Sequence, residues 1–145
     1  MLTLTTFKRY LLALASGAIS YFAYPSPAFW PAIFISILGL YLSVRGLNFW
    51  KAFGVGFLGG AAYYVAQIYW ISQYLGPRPL VGLAAIEALI FAIGAGFIAL
   101  ATKRLQSPWQ LALIVSILWN AREWVATHFP YGGFPWSRVA MSQSN

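Results

Sequence analysis

Two carboxylates, Glu87 and Glu123, and one histidine, His128, are the residues of this 145-residue sequence whose types can do acid–base chemistry. A carboxylate pair can pass a proton, but bond-making needs a nucleophile beside it. The chain has no cysteine, so neither thiol chemistry nor a disulfide is available to it. One histidine and two carboxylates are also too few for an ordinary His/Asp/Glu metal cluster. No catalytic residue, metal or cofactor is therefore expected. Arg122, next to Glu123, adds a cation to the group. A Glu87–Arg122 pair between adjacent helices is sterically possible, either as a structural ion pair or as part of a cavity that holds the polar end of a substrate. His128 falls at a predicted helix end, where solvation or capping is the ordinary role.

Aromatic residues supply the other candidates. Tyr63, Gln67, Trp70 and Tyr74 follow i, i+4, i+7, i+11 and share one face of a predicted helix. Trp119 and Glu123, four apart, share a face of another. Such stripes are usually packing or interface belts, with cavity lining as the alternative. The stretch Phe129-Pro130-Tyr131-Gly132-Gly133-Phe134-Pro135-Trp136 is unlike a solvated linker. Its prolines disfavour helix, its glycines permit a sharp turn and its four aromatics favour burial. It should lie along a membrane surface or fold back over the helices.

Composition indicates what must position these groups. The sequence is 61% hydrophobic and only 8% charged, too little charge for a water-facing surface of this size. Lipid is the implied solvent, and an all-α polytopic bundle of about five transmembrane helices the implied fold. Five apolar stretches run over 10–24, 29–44, 52–75, 81–102 and 109–128. The first two are short, although Lys8 and Arg9 can snorkel to extend the first. The first stretch has a basic start but lacks a small-x-small cleavage pattern, so it reads as an uncleaved helix. Residues 1–128 then form the bundle and 129–145 an arm.

The net charge of +7 does not indicate nucleic acid, because the basic residues are scattered between apolar runs. With the N-terminus cytoplasmic, Lys8, Arg9, Arg45, Lys51, Lys103 and Arg104 lie inside, and Arg78 and Arg138 outside. That distribution follows the positive-inside rule and places the arm outside the cell. Glu87 and Glu123 then lie about 7–9 Å below the outer boundary at helical rise. Short connections force antiparallel neighbours. Small residues permit close approach at Ala13 and Gly17, at Gly56 and Gly60, and at Gly94 and Gly96.

With these pieces in order, the chain resembles the amino-terminal membrane part of the apolipoprotein N-acyltransferases. The matching marks are residues 12–17, then Phe22-Ala23-Tyr24, Trp30-Pro31-Ala32, 54–60, Tyr69-Trp70, Leu118-Trp119 with Glu123, and Phe134-Pro135-Trp136 followed by Ser142-Gln143. The resemblance implies a bacterial plasma-membrane, multi-pass protein whose family carries a nitrilase-like domain outside the membrane. The family's catalytic Glu, Lys and Cys lie there, downstream of everything in this sequence. It implies a phospholipid acyl donor and, as acceptor, the amino group of a lipoprotein's diacylglyceryl-cysteine. Phe134, Pro135, Trp136, Trp119, Glu123 and Trp70 are the implied substrate-binding residues.

Two departures stand out. The family often has Leu-Arg-Gly shortly after the Glu, where this sequence has Trp124-Val125-Ala126 and carries Arg122 before it. The Phe-Pro-Tyr-Gly-Gly segment looks like actinobacterial relatives, some of which adjoin a polyprenol-phosphate mannose synthase. The end at Asn145, inside a motif, gives the expectation of a truncated frame and of a chain inactive by itself. The alternatives are a stand-alone scaffold anchoring such a synthase, and a small transporter using Glu87 and Glu123.

Overall fold

A computed structural model describes residues 5–24, 28–129, 132–135 and 138–143. Among them the chain is all-α. The first apolar stretch becomes α1, Thr6–Ile19, which tightens into a 3-10 turn at Ser20–Ala23. There the Ser20 hydroxyl donates to the Gly17 carbonyl at 2.6 Å, so this buried polar side chain is satisfied. The second, α2, is Ala32–Val44. Its last carbonyls are orphaned by helix geometry, and Arg9 Nη1 donates to the carbonyls of Ser43 and Arg45, each at 2.9 Å. Gly46 turns the chain at φ +73°, a conformation that suits glycine. Asn48 then caps α3, Phe49–Ile68, by accepting from the Lys51 amide at 2.9 Å.

Here the structure departs from the expected five helices. The apolar stretch 52–75 is not one helix: α3 ends at Ile68, Tyr69 and Trp70 form a turn, and a short α4 covers Ile71–Leu75. No proline or glycine lies at the break, so hydropathy and local propensity gave no sign of it. The consequence is that Tyr63 and Gln67 face inward while Trp70 and Tyr74 do not continue their stripe; Tyr74 is 79% exposed. Gly76 and Pro77 stop α4 and open α5, Pro77–Arg104, and Pro108 opens α6, Pro108–Ala126. A second 3-10 segment covers Val139–Gln143. The described residues thus contain six α-helices. Of these, α5 is long and apolar enough by length and composition to cross a membrane; α2 is apolar but has 13 residues.

The helices alternate in direction. The start of α1 meets the end of α2 through Arg9, and the turn after α2 meets the end of α5 where the Gly46 amide donates to Thr102 Oγ1 at 2.9 Å. In the middle, α3 packs against α5 on one side and α1 on the other, and α6 rests on α5. The contacts are close because small residues line them. A Cβ on Gly60 would stand 2.8 Å from the Phe91 ring, and one on Gly17 would stand 2.8 Å from the Tyr63 amide. Alanine, glycine and serine make up much of the interior, beside larger groups such as Ile33, Leu40, Tyr63, Ile68 and Phe91. The large apolar side chains Phe34, Leu38, Leu89, Ile93, Phe97, Leu113 and Ile117 point outward.

Candidate functional site

At the end of the bundle away from Arg9, charged groups are inside. Three helices converge there: α3 with Tyr63 and Tyr64, α5 with Glu87 and Phe91, and α6 with Trp119, Arg122 and Glu123. Gly94 lets α6 approach, since a Cβ at that position would lie 3.2 Å from Arg122 Cδ. Arg122 is 5% exposed. Its guanidinium lies 4.6 Å from the centroids of both the Phe91 and Trp119 rings, so two electron-rich faces replace part of its hydration. Nη1 donates to the Tyr64 hydroxyl at 2.8 Å. Nη2 stands 3.6 Å from Glu123 Oε1, an ion pair without a hydrogen bond, and neither Nη2 nor Nε has a hydrogen-bond partner among the described residues.

Glu87 is fully buried on α5, and neither of its carboxylate oxygens completes a hydrogen bond. The polar groups that act on it are the Tyr64 hydroxyl and the Arg122 guanidinium. The Glu87–Arg122 ion pair weighed above therefore does not form directly; both groups act on Tyr64 instead. Unmatched buried polar atoms are costly and few in native proteins. Here they fall on three helices, at Gln67 of α3, Glu87 of α5 and Arg122 of α6.

The arm returns over the same end. The Phe134 amide donates to the Ala126 carbonyl at 2.9 Å, extending the contact with the last turn of α6. Glu123 Oε1 accepts from two donors, Trp119 Nε1 at 3.0 Å and the Val139 amide at 3.1 Å. The Tyr24 hydroxyl donates to the Arg138 carbonyl at 3.0 Å and shares a hydrogen bond with the Tyr63 hydroxyl at 2.9 Å. Phe134 and Val139 pack against the buried core. Folding back over the helices, one of the two placements expected, is what the described residues of the arm do.

On its lateral side the site adjoins an apolar cleft between α2, α5 and α6, walled by Ile37, Leu40, Ala95, Ile98, Val115 and Trp119, with Arg122 as its charged residue. Of the expected site residues, the fold gathers Trp119, Glu123 and Phe134. Pro135 follows them on the exposed side of the arm. Trp70 lies apart, half exposed at the break after α3, with its ring edge-on to Tyr74. Trp136 lies outside the described residues. Sequence reasoning missed Tyr24 and Tyr64. A hydroxyl at a helix end or on an apolar stripe carries no local sign of its partners, which are 114 and 58 residues away.

Comparison with known proteins bears on the same residues. The chain is 34% identical to an apolipoprotein N-acyltransferase of Pseudomonas putida and 33% identical to one of Pseudomonas aeruginosa, in each case over 92% of this chain. It is 28% identical to that of Rhizobium rhizogenes over the same share. None of these three is from an actinobacterium. The chain spans 28% of the length of each. The family model described as the apolipoprotein N-acyltransferase N-terminal domain matches residues 16–145, which takes in α2 to α6, the buried charges and the arm. By that match, the chain belongs to the apolipoprotein N-acyltransferase N-terminal domain family.

Proposed function

We propose that this chain is the polytopic membrane portion of an apolipoprotein N-acyltransferase of the bacterial plasma membrane. Its N-terminus is cytoplasmic, residues 1–128 form the bundle, and residues 129–145 are an extracytoplasmic arm. One observation carries the membrane reading: the distribution of large side chains. Large apolar groups point outward from every long helix, while inside, beside Ile33, Leu40, Ile68 and Phe91, stand many alanines, glycines and serines and the side chains of Glu87 and Arg122. A water-soluble bundle would not turn so much large apolar surface outward while burying such groups. Exposed aromatics mark the two ends. Phe7, Trp50 and Trp109 lie at the starts of α1, α3 and α6; Tyr21, Trp30, Tyr69, Trp70 and Trp124 lie at the opposite ends. Paired aromatic belts suit two membrane–water interfaces.

The chain has no cysteine on which an acyl-thioester could form. Its part in acyl transfer is therefore to hold lipid and to direct the arm. In this reading the cleft beside α2, α5 and α6 takes a chain of the phospholipid donor, and Arg122 and Trp119 mark its polar end. Phe134 and Pro135, with Glu123, form the outer rim toward the lipoprotein acceptor, Trp136 is a further acceptor-binding residue, and Trp70 belongs to the outer aromatic belt.

Topology is testable directly, because a cysteine-free chain accepts single labels without background. Arg78→Cys and Phe129→Cys should react with an impermeant maleimide in intact cells, whereas Gln106→Cys should react only after lysis. The opposite pattern rejects the orientation. For activity, this chain can replace the matched region of the Pseudomonas aeruginosa enzyme. Acyl transfer should persist in that chimera, and Trp136→Ala should lower it with insertion unchanged. A correctly inserted chimera without transfer would favour the scaffold or transporter alternatives.

A further inference from the structure

Two of the hydrogen bonds that tie the arm to the bundle fall on one peptide unit. The carbonyl belongs to Arg138 and accepts from the Tyr24 hydroxyl at 3.0 Å; the amide belongs to Val139 and donates to Glu123 Oε1 at 3.1 Å. Tyr24 follows the 3-10 turn after α1, and Glu123 is in the last turns of α6. A peptide plane offers one donor and one acceptor pointing in opposite directions. Side chains from the end of the first helical segment and from α6 grip it from both sides.

Both grips are themselves fixed. The Glu123 carboxylate is oriented by the indole of Trp119, one turn earlier on α6, at 3.0 Å. The Tyr24 hydroxyl is oriented by Tyr63 of α3 at 2.9 Å. Tyr63 is fully buried, so its hydroxyl cannot turn to bulk water instead. The clamp therefore connects the arm to α1, α3 and α6 at once, and it uses a charged acceptor, which makes the stronger kind of hydrogen bond.

We propose that Tyr24 and Glu123 are positioning residues that clamp the Arg138–Val139 peptide unit and so fix the path of the arm as it leaves the bundle. For acyl transfer the consequence rests on the reading above: the segment beyond Val139 is directed by the helices rather than by its own sequence. The clamp itself does not depend on that reading.

The peptide bond held by the clamp is also the bond that trypsin cleaves after Arg138, a residue that is exposed. A protease needs this bond in extended form and free of its partners, so cleavage reports the open clamp. The purified chain in detergent micelles should be cut slowly at Arg138. Glu123→Ala should raise that rate about tenfold or more, and Tyr24→Phe, which keeps the ring and loses the donor, by several-fold, about what loss of a hydrogen bond to a charged or a neutral group implies. Glu123→Gln keeps an acceptor oxygen but loses its charge, and should raise the rate by only about a few-fold, well short of the Ala variant. Cleavage after Lys103 and Arg104, at the far end of the bundle, reports whether the helices themselves have loosened and should not change. Equal rates at Arg138 in all four proteins overturn the clamp, as does a Gln variant cut as fast as the Ala variant. Because no acyl transfer is measured, loss of the acyltransferase reading would leave this result standing.

Discussion

Two arginines at opposite ends of the bundle show how differently its ends are built. Arg9 is partly exposed and spends its charge on the closing carbonyls of α2, those of Ser43 and Arg45. That is a favourable place for a cation, since the carboxyl end of a helix is partially negative. Nearby, Asn48 and Thr102 meet backbone amides. These three side chains serve helix termini or a turn. Arg122 lies inside, between two aromatic rings, with a tyrosine hydroxyl and an imperfect ion pair as its polar company. Beside it Glu87 is buried without a hydrogen bond. One end uses charge to finish secondary structure; the other keeps charge inside at a cost. The difference is one of cost, because a buried group whose polar atoms lack partners lowers stability, whereas a cation on exposed helix carbonyls does not.

The contrast can be broken most severely at Arg122. Arg122→Ala removes the counter-charge of two carboxylates and should lower the stability of the bundle by about 3–5 kcal/mol, the usual result of leaving one partner of a buried pair alone. Thermal unfolding of the detergent-solubilised chain measures it. Adding Glu87→Ala to that variant should recover part of the loss, since the stranded charge is then gone; further destabilisation would count against the coupling. A smaller effect is expected from Tyr64→Phe, which takes away the single hydrogen-bond acceptor that Arg122 Nη1 has there. Its cost should be about 1.5–3 kcal/mol by the same unfolding measurement. Smallest is Arg9→Ala, about 0.5–1.5 kcal/mol, because water can satisfy the carbonyls it leaves. Equal losses at Arg9 and Arg122 would erase the distinction between the two ends.

Much of the helical framework was legible from composition and spacing. The stretch 109–128 closely anticipates α6, Pro108–Ala126, and the stretch 29–44 contains α2. The shared face of Trp119 and Glu123 followed from helical period and is realised as a hydrogen bond. The small residues singled out for close approach do lie at helix contacts, Gly60 against Phe91 and Gly94 against Arg122 among them. The break at Tyr69 and Trp70 was not legible, because the next residue that stops a helix is Gly76, after α4 has begun and ended. Nor was the division of labour between Arg9 and Arg122. Both are single arginines beside apolar runs, and only their partners separate them.

The sequence by itself determined that the chain is helical, that its helices are held close by glycine and alanine, and where its charged residues interrupt apolar runs. These are local properties, written in periodicity and side-chain size. Tertiary structure alone decided that Arg122 meets Tyr64 and Glu123 rather than Glu87 directly, and that Tyr24 and Glu123 reach opposite sides of one peptide unit in the arm. Those contacts join residues 16 to 114 positions apart, apart from the adjacent Arg122–Glu123 pair. The physical reason is that which polar groups meet in a low-dielectric interior depends on the rotation and depth of whole helices. Packing sets both, and no window of sequence contains that information.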